Sequence, residues 1–326
     1  MQALIYTTYG SPDGLRLQEH ALPTPNDDQV LIRIHAASVN AGDRHLLWGE
    51  PFMVRLMSGL RRPKYSILGS DVAGRVAAVG RNITQFQPGD AVFGDLSDSG
   101  FGAFAEYVAA PAQALVAKPA ALSFAQAAAV PSAALTALQG LRDVGGLGAG
   151  QKVLINGAAG GVGTFAVQIA KALGAEVTGV CSTRNVELVR NLGADHVIDY
   201  TRADVLQSGA RYDLVLDAAA YRSFWEYRRV LTPRGVYVLV GGSGRNLLQV
   251  MTLGRLRSRR DGQQFRTFLK QATSERLAAI NALLEAGKVM PLIDRCYPLP
   301  AAAEALRYFE AGHGGGKILL TMQEGE

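Results

Sequence analysis

The sequence predicts an α/β protein of two domains, one mostly β and one built on a doubly wound parallel sheet. Three observations carry this. The chain has 326 residues, about twice the usual length of a single domain. Residues 1–120 hold short apolar runs punctuated by glycine and proline, the texture of an irregular β domain. From residue 123 onward, strand-like apolar runs alternate with helical patterns across short linkers, which implies a parallel sheet.

The apolar runs of the first part are Ala3–Tyr6, Val30–Ile34, Asp71–Val79 and Ala91–Phe93. Pro119–Leu141 then runs 23 residues without a charge. It is mostly alanine and is broken by Pro119 and Pro131, so buried globular structure is expected there and not a membrane span. Lys152–Asn156 reads as a buried strand, and Gly163–Leu173 as a helix with Phe165, Ile169 and Leu173 on one face. Strand Glu176–Cys181, helix Asn185–Leu192 and strand His196–Tyr200 follow. Strands Asp213–Ala218 and Gly235–Val240 flank a helix at Phe224–Leu231. After a basic stretch come a helix at Ser274–Gly287, capped by Ser274, a helix at Pro300–Ala311 and a strand at Lys317–Met322.

Composition excludes several classes. With 48% hydrophobic and 19% charged residues, the chain can bury a large core, unlike a disordered or fibrous one. Its cysteines, Cys181 and Cys296, make neither a disulfide framework nor a four-thiolate zinc site, and a reduced, cytoplasmic setting is expected. Met1–Tyr6 lacks the basic and apolar regions of a signal peptide. The net charge is +5, but Arg245–Arg276 alone holds eight basic and two acidic residues, or +6, leaving −1 elsewhere. Basicity confined to one segment argues against nucleic-acid binding.

The sharpest local signal is Asn156-Gly-Ala-Ala-Gly-Gly-Val-Gly163, between a strand and a helix. That is the setting of a dinucleotide fingerprint, here Ala158-x-Gly160-x-x-Gly163. Gly160 would admit the pyrophosphate, Gly163 would let the helix pack close, and Ala158, Ala159, Gly161 and Val162 complete the loop. The helix N-terminus supplies N–H donors and positive dipole to the phosphates. A carboxylate about 20 residues further on would favour NADH. The chain there reads Cys181-Ser-Thr-Arg-Asn185 and offers no carboxylate. Ser182 and Thr183 can donate to a 2′-phosphate and Arg184 can pair with it, so NADPH is expected over NADH.

At this point the chain resembles the medium-chain dehydrogenase/reductase superfamily, in its zinc-free quinone oxidoreductase and enone reductase branch. The markers, in order along almost the whole chain, are Val39-Asn-Ala-Gly-Asp43, Leu68-Gly-Ser-Asp-Val-Ala-Gly74 with Val79-Gly80, Pro88-Gly-Asp-Ala-Val92, Gly102-Ala-Phe-Ala-Glu-Tyr-Val108, Ala134-Leu-Thr-Ala137, the glycine loop, Leu192-Gly-Ala-Asp195 and Gly316-Lys317-Ile318. The resemblance implies a GroES-like catalytic domain, residues 1–122 plus 267–326, around an inserted Rossmann domain, residues 123–266. It also implies a homodimer. Where zinc-dependent members carry Cys, His-Glu and Cys, this chain has Asn40, Ser70-Asp71 and Ser132, and no cysteine lies between Gly89 and Pro111. None of the three positions offers a thiolate or imidazole, so no zinc is expected.

Hydride transfer without a Lewis acid needs an acceptor that is already electrophilic, a quinone or an α,β-unsaturated carbonyl. The resemblance places Asn40, Asp43 and Thr136 at the nicotinamide end, Lys317 closing the cofactor site, Gly241 and Gly242 against the cofactor and Tyr200 beside the adenosine. His45, two positions after Asp43, is the candidate acid for the α-carbon. Tyr65 is a second candidate, and bulk solvent a third source of the proton. His35 and His196, inside strand-like runs, and Tyr107, in a packing motif, read as structural. The apolar and arginine-rich segment 245–260 reads as a flap first, a solvated loop second and a membrane-surface contact third. Two other functions stay open: a zinc-independent carbonyl reductase or alcohol dehydrogenase, and an NADPH-binding sensor or scaffold without turnover.

Overall fold

In the computed structural model, which describes residues 1–241, 246, 249–250, 262–312 and 314–322, the chain opens with β1 (Gln2–Ile5), β2 (Arg16–Glu19) and the eleven-residue β3 (Gln29–Val39). Helices α1 (Ala41–Trp48) and α2 (Phe52–Ser58) follow, then β4 (Asp71–Val79), β5 (Ala91–Asp95), β6 (Tyr107–Pro111), β7 (Leu115–Ala117) and α3 (Phe124–Ala128). The second half runs α4 (Pro131–Leu138), β8 (Lys152–Asn156), α5 (Gly161–Ala172), β9 (Glu176–Cys181), α6 (Val186–Asn191), β10 (His196–Asp199), β11 (Tyr212–Asp217), α7 (Phe224–Tyr227), β12 (Leu231–Leu239) and β13 (Gln264–Thr267). It closes with α8 (Ser274–Glu285), β14 (Ile293–Pro298), α9 (Ala302–Glu310) and β15 (Lys317–Thr321).

Two compact units result. One is Met1–Ser132 with Gln271–Glu285 and Pro291–Glu326, and the other is Ala133–Lys270 with Ala286–Met290. The first is organised by β3, whose long β-branched run lies almost wholly buried. Its sheet has the order β14-β15-β3-β4-β5-β7, with β6 also paired to β3. The last strand of the chain, β15, is antiparallel to β3 with Ile318 opposite Val39. Val30, Ile32, Val39, Val72, Val92 and Leu320 form the core beneath it.

The second unit is a six-stranded sheet in the order β10-β9-β8-β11-β12-β13. Every pair in it is parallel, so in chain order it is the 3-2-1-4-5-6 arrangement of a doubly wound dinucleotide fold. Val153, Leu154 and Ile155 of the central strand are buried on both faces, which is why they read as an unbroken apolar run.

Several expectations are corrected. Helix α5 begins at Gly161, two residues before the predicted start. The cap of α8 is Thr273, whose hydroxyl accepts from Arg276 N–H at 3.4 Å, and not Ser274. Strands β2, β6, β7, β13 and β14 lie outside the expected runs. In β13 only Phe265 is buried, so one apolar residue carries the signal of this edge strand. The uncharged alanine stretch folds as α3, α4 and a π-helical turn at Gln139–Val144, and among the described residues no helix is long and apolar enough to cross a membrane. The segment 245–260 lies almost wholly outside the described residues, and its flap reading with it.

A buried carboxylate ties the central strands together at their C-terminal ends. Asp217 accepts from Asn156 Nδ2 at 2.7 Å, from Ala219 and Ala220 N–H at 3.2 and 2.7 Å, and from the Tyr237 hydroxyl at 2.7 Å. Burial and this carboxylate hold the Tyr237 hydroxyl protonated well above the ordinary tyrosine range. Asp217→Ala leaves those donors without an acceptor and is expected to cost roughly 3 kcal/mol or more in chemical denaturation. Asp217→Asn, which keeps an acceptor oxygen for the two N–H groups, should cost less than half of that. Equal losses in the two variants would show that the hydrogen bonds do not set the cost.

Candidate functional site

The glycine loop separates two reasons for having no side chain. At Gly163 an added Cβ would sit 2.0 Å from the Gly157 carbonyl oxygen and 2.7 Å from the Ala158 carbonyl carbon. The helix therefore packs directly on the loop. At Gly160 the nearest atom would be 3.4 Å away, and φ is −75°, so the protein itself would accept alanine there. Gly160 is exposed at the N-cap of α5, next to half-buried Gly161 and Val162, while Ala158 and Ala159 face inward. Ala158 N–H is spent on Val180 O at 3.0 Å. Gly160 N–H is likewise spent, on Gly157 O at 3.0 Å, so what the loop can offer an anion is the uncrowded approach at Gly160 and the first N–H groups of α5.

Past β9, Ser182 is half-buried and Thr183 and Arg184 are exposed. The expectation that no carboxylate lies there is corrected. Asp199, at the end of the neighbouring strand β10, accepts from Thr183 Oγ1 at 2.6 Å. The same hydroxyl lies 2.8 Å from Thr201 Oγ1. Those hydrogen bonds hold the Asp199 carboxyl below its ordinary range. Asp199 reaches this place because β10 and β9 pair in parallel with Asp199 opposite Cys181. Ser182 and Arg184 therefore carry the cationic and donor character of the loop, with the Thr183 hydroxyl already engaged. Tyr200 is 59% exposed beside them, its N–H bonded to Cys181 O. Thr136 is half-buried on α4 and Gly241 is exposed just after β12. Gly242 lies outside the described residues.

In the first unit, three predicted residues converge. Asn40 caps α1, and its amide is clamped at both ends: Nδ2 donates to Asp71 Oδ2 at 3.0 Å, and Oδ1 accepts from Lys317 Nζ. Nδ2 also lies 3.3 Å from Ser38 Oγ and 3.4 Å from Ser70 Oγ. The charges fix the amide orientation, since a flip would turn NH₂ toward the ammonium and oxygen toward the carboxylate. Asp71 further accepts from Ser38 Oγ at 2.5 Å and Ser132 N–H at 2.9 Å, and Lys317 Nζ stands 3.6 Å from it. Asp43 accepts from Asn40 N–H at 2.8 Å and Gly69 N–H at 3.0 Å.

Burial sets the electrostatics. It pushes the Asp43 carboxyl up to about 7, with the Asp71 charge adding to the rise while the Asn40 and Gly69 N–H groups and Lys317 oppose it. Burial also draws the Lys317 ammonium below its ordinary range, against the pull of Asp71, Asp43 and Asp95. Ser38 and Asp95 belong to this cluster and escaped the sequence reading, which named Ser70 and Asp71 only as positions where zinc-dependent members carry ligands. Pairing of separate strands brings them together, with Ser38 opposite Asp71 and Asp71 opposite Asp95.

The other proton-donor candidates stand apart from these hydrogen bonds. His45 lies one turn along α1, and its Nδ1 donates to the Glu50 carbonyl at 2.7 Å. Burial lowers its pKa, and with Nδ1 donating to that carbonyl the neutral ring presents Nε2 as an acceptor. Tyr65 packs edge-on against Phe101 at 5.3 Å. His35 stacks on Phe124 at 4.2 Å, and His196 meets Glu176 on the surface. Among the described residues no group of three or more His, Cys, Asp or Glu converges to hold a metal ion.

Comparison with known proteins bears on these two units separately. Residues 26–120 match the alcohol dehydrogenase GroES-like domain, and residues 192–320 match the zinc-binding dehydrogenase family. The chain is 35% identical to the mouse mitochondrial NAD(P)H oxidoreductase RTN4IP1, over 99% of this chain and 89% of that one. It is 32% identical to the chloroplastic NADPH-dependent alkenal/one oxidoreductase of Arabidopsis thaliana, over 98% and 79%. The structure of the quinone oxidoreductase from Coxiella burnetii superposes with a TM-score of 0.86 at 31% identity, covering 99% of both chains.

Gly163→Ala should lose about 2 kcal/mol of stability through overpacking. Gly160→Ala should keep the wild-type melting temperature yet weaken nicotinamide-cofactor binding about tenfold or more, by holding phosphate off its N–H donors. Titration and thermal melts of the two variants check this, and equal melting losses would refute the contrast. For Asp43, a carboxyl raised in the folded state stabilises the fold most below its unfolded pKa and loses that contribution as pH rises to about 7. Wild-type stability should therefore fall between the ordinary carboxylate range and neutrality more steeply than that of Asp43→Asn, measured by melts across that window.

Proposed function

We infer from the chain's place in the medium-chain dehydrogenase/reductase superfamily, to whose quinone oxidoreductase-like branch it belongs, that it reduces quinones and α,β-unsaturated carbonyls with NADPH and without zinc. The observation that carries the reading is the donor set where zinc-dependent members hold their metal. Asn40, Ser70, Asp71 and Ser132 offer one carboxylate, already taken by the Ser38 hydroxyl, the Asn40 amide and the Ser132 N–H, with Lys317 Nζ 3.6 Å away. A dication with soft-ligand preference does not fit such a site.

A nicotinamide cofactor does fit the second unit. Its diphosphate would lie on the open backbone at Gly160 and the N-terminus of α5, and its 2′-phosphate on Ser182 and Arg184. Asp199 tells against the phosphate, but its charge is turned onto the Thr183 and Thr201 hydroxyls. When bound, NADPH supplies a hydride to an electrophilic carbon.

The first unit then has two tasks. The clamped Asn40 amide and the Lys317 ammonium hold a fixed pattern of donor and charge, with no reorganisation during the reaction. Asp43 keeps that pattern in place by bonding the N–H of Asn40 itself and of Gly69. His45 Nδ1 is engaged by the Glu50 carbonyl and burial lowers its pKa, both of which disfavour it as an acid, so we assign the proton for the α-carbon to solvent water. Quinone reduction likewise takes its protons from water.

The test is cofactor oxidation with EDTA present, against a quinone, a medium-chain 2-enone, the matching saturated ketone and a no-acceptor control, each with NADPH and with NADH. Turnover of quinone or enone, indifference to chelator and preference for NADPH are expected. Arg184→Ala should raise the KM for NADPH about tenfold, the loss of one charged hydrogen-bonding partner, and leave that for NADH unchanged. Turnover of the saturated ketone alone would make the protein a carbonyl reductase, and a flat trace with tight NADPH binding would make it a sensor.

A further inference from the structure

We propose that residues 52–64 of the first unit dock the protein on an anionic phospholipid surface. Phe52, Met53, Leu56, Met57 and Leu60 are exposed by 63, 63, 57, 75 and 55%. Phe52, Met53, Leu56 and Met57 stand at i, i+1, i+4 and i+5, the spacing of one face of α2, and Leu60 follows in the turn after it. Five large exposed apolar side chains within nine residues are unlike the scattered single hydrophobics that ordinary surfaces carry.

The face is built and held from beneath. Val54 packs into the core of the first unit. Arg55 Nε donates to Gly49 O at 3.1 Å, and its guanidinium covers the Tyr9 ring at 4.8 Å. The Tyr9 hydroxyl donates to Ser58 O at 3.1 Å, and Lys64 N–H to the same carbonyl at 2.6 Å. With Gly59 at φ +110°, an added Cβ would meet Arg62 O at 2.2 Å. The turn after α2 is thus closed tightly, and it carries Leu60 and the basic run out beside the helix.

Charge names the partner. Residues 52–64 contain Arg55, Arg61, Arg62 and Lys64 and no acidic residue. Arg55 is used internally, whereas Arg61, Arg62 and Lys64 are exposed, and no ion pair joins them to a carboxylate among the described residues. A second copy of the chain would set like charges against each other. An anionic bilayer instead satisfies both features, since its headgroups meet the cations while the acyl boundary takes the apolar stripe, which carries no hydrogen-bonding side chain.

The test is sedimentation of the full chain with vesicles of phosphatidylcholine alone and of phosphatidylcholine mixed with phosphatidylglycerol. Binding to the mixed vesicles only, weakened by salt, is expected. Arg61→Ala combined with Arg62→Ala should lower the partition coefficient about twenty-fivefold, about fivefold for each arginine. Leu56→Ser with Met57→Ser should lower it at least about tenfold. All four side chains are exposed, so cofactor binding and melting temperature should stay at wild-type values in both sets, whatever acceptor the enzyme reduces. No binding to anionic vesicles at low salt, or binding that survives either pair of substitutions, would overturn the proposal. So would a gel-filtration shift to smaller size in both pairs, which would mark the face as a contact between copies.

Discussion

The first unit depends on one buried ion pair. Lys317 and Asp71 lie 3.6 Å apart with side chains 4 and 0% exposed, and neither charge could be buried alone without a cost of several kcal/mol. The pair exists only if three strands stand in one register. Ser38 faces Asp71 across β3 and β4, and Ile318 faces Val39 across β15 and β3. A slip of one residue in either pairing would turn a charged side chain to the opposite face of the sheet. The end of the chain is thereby fixed to its first part, and the Asn40 amide spans the two charges.

The second unit is governed by backbone closeness. Gly163 is required by the fold, because its Cα lies against Gly157 O, whereas Gly160 is required by nothing in the protein. The distinction matters because a glycine pattern by itself does not say which glycine serves packing and which serves a ligand. Gly179 extends the packing series, since its Cβ would strike Val189 at 2.5 Å. Close approach of β9, α5 and α6 brings the ends of β8 and β9 beside the helix N-terminus, where an anion gains most from the aligned N–H groups.

Much of this was legible in the sequence, and the rest was hidden for definite reasons. Parallel strands buried on both faces announce themselves as unbroken apolar runs, so β8, β9 and β11 were found. The edge strand β13 buries Phe265 alone and left no period to detect. Asp199 was missed as a neighbour of Thr183 because its position depends on the lateral pairing of β10 with β9, which a count along the chain from Gly163 does not contain. The Asp217 network escaped for the same reason, since Asn156, Asp217 and Tyr237 meet only across three strands. Asn40, Asp43 and Lys317 were named from resemblance, but the clamp on the Asn40 amide belongs to the register of β15 against β3.

Under the zinc-free reading proposed above, the Lys317 ammonium beside Asn40 and Asp71 sets what chemistry is within reach. A dication can acidify a bound alcohol and so open the oxidative direction. An ammonium already hydrogen-bonded to Asn40 and set beside Asp71 has one charge, largely neutralised, and no open coordination position. Such a site polarises weakly, and the acceptor must bring its own electrophilicity. Quinones and conjugated enones do so, because the carbon that takes the hydride is activated by its own carbonyl. The cluster's rigidity then becomes its contribution: with both ends of the Asn40 amide held by opposite charges, the donor pattern is set before any acceptor arrives.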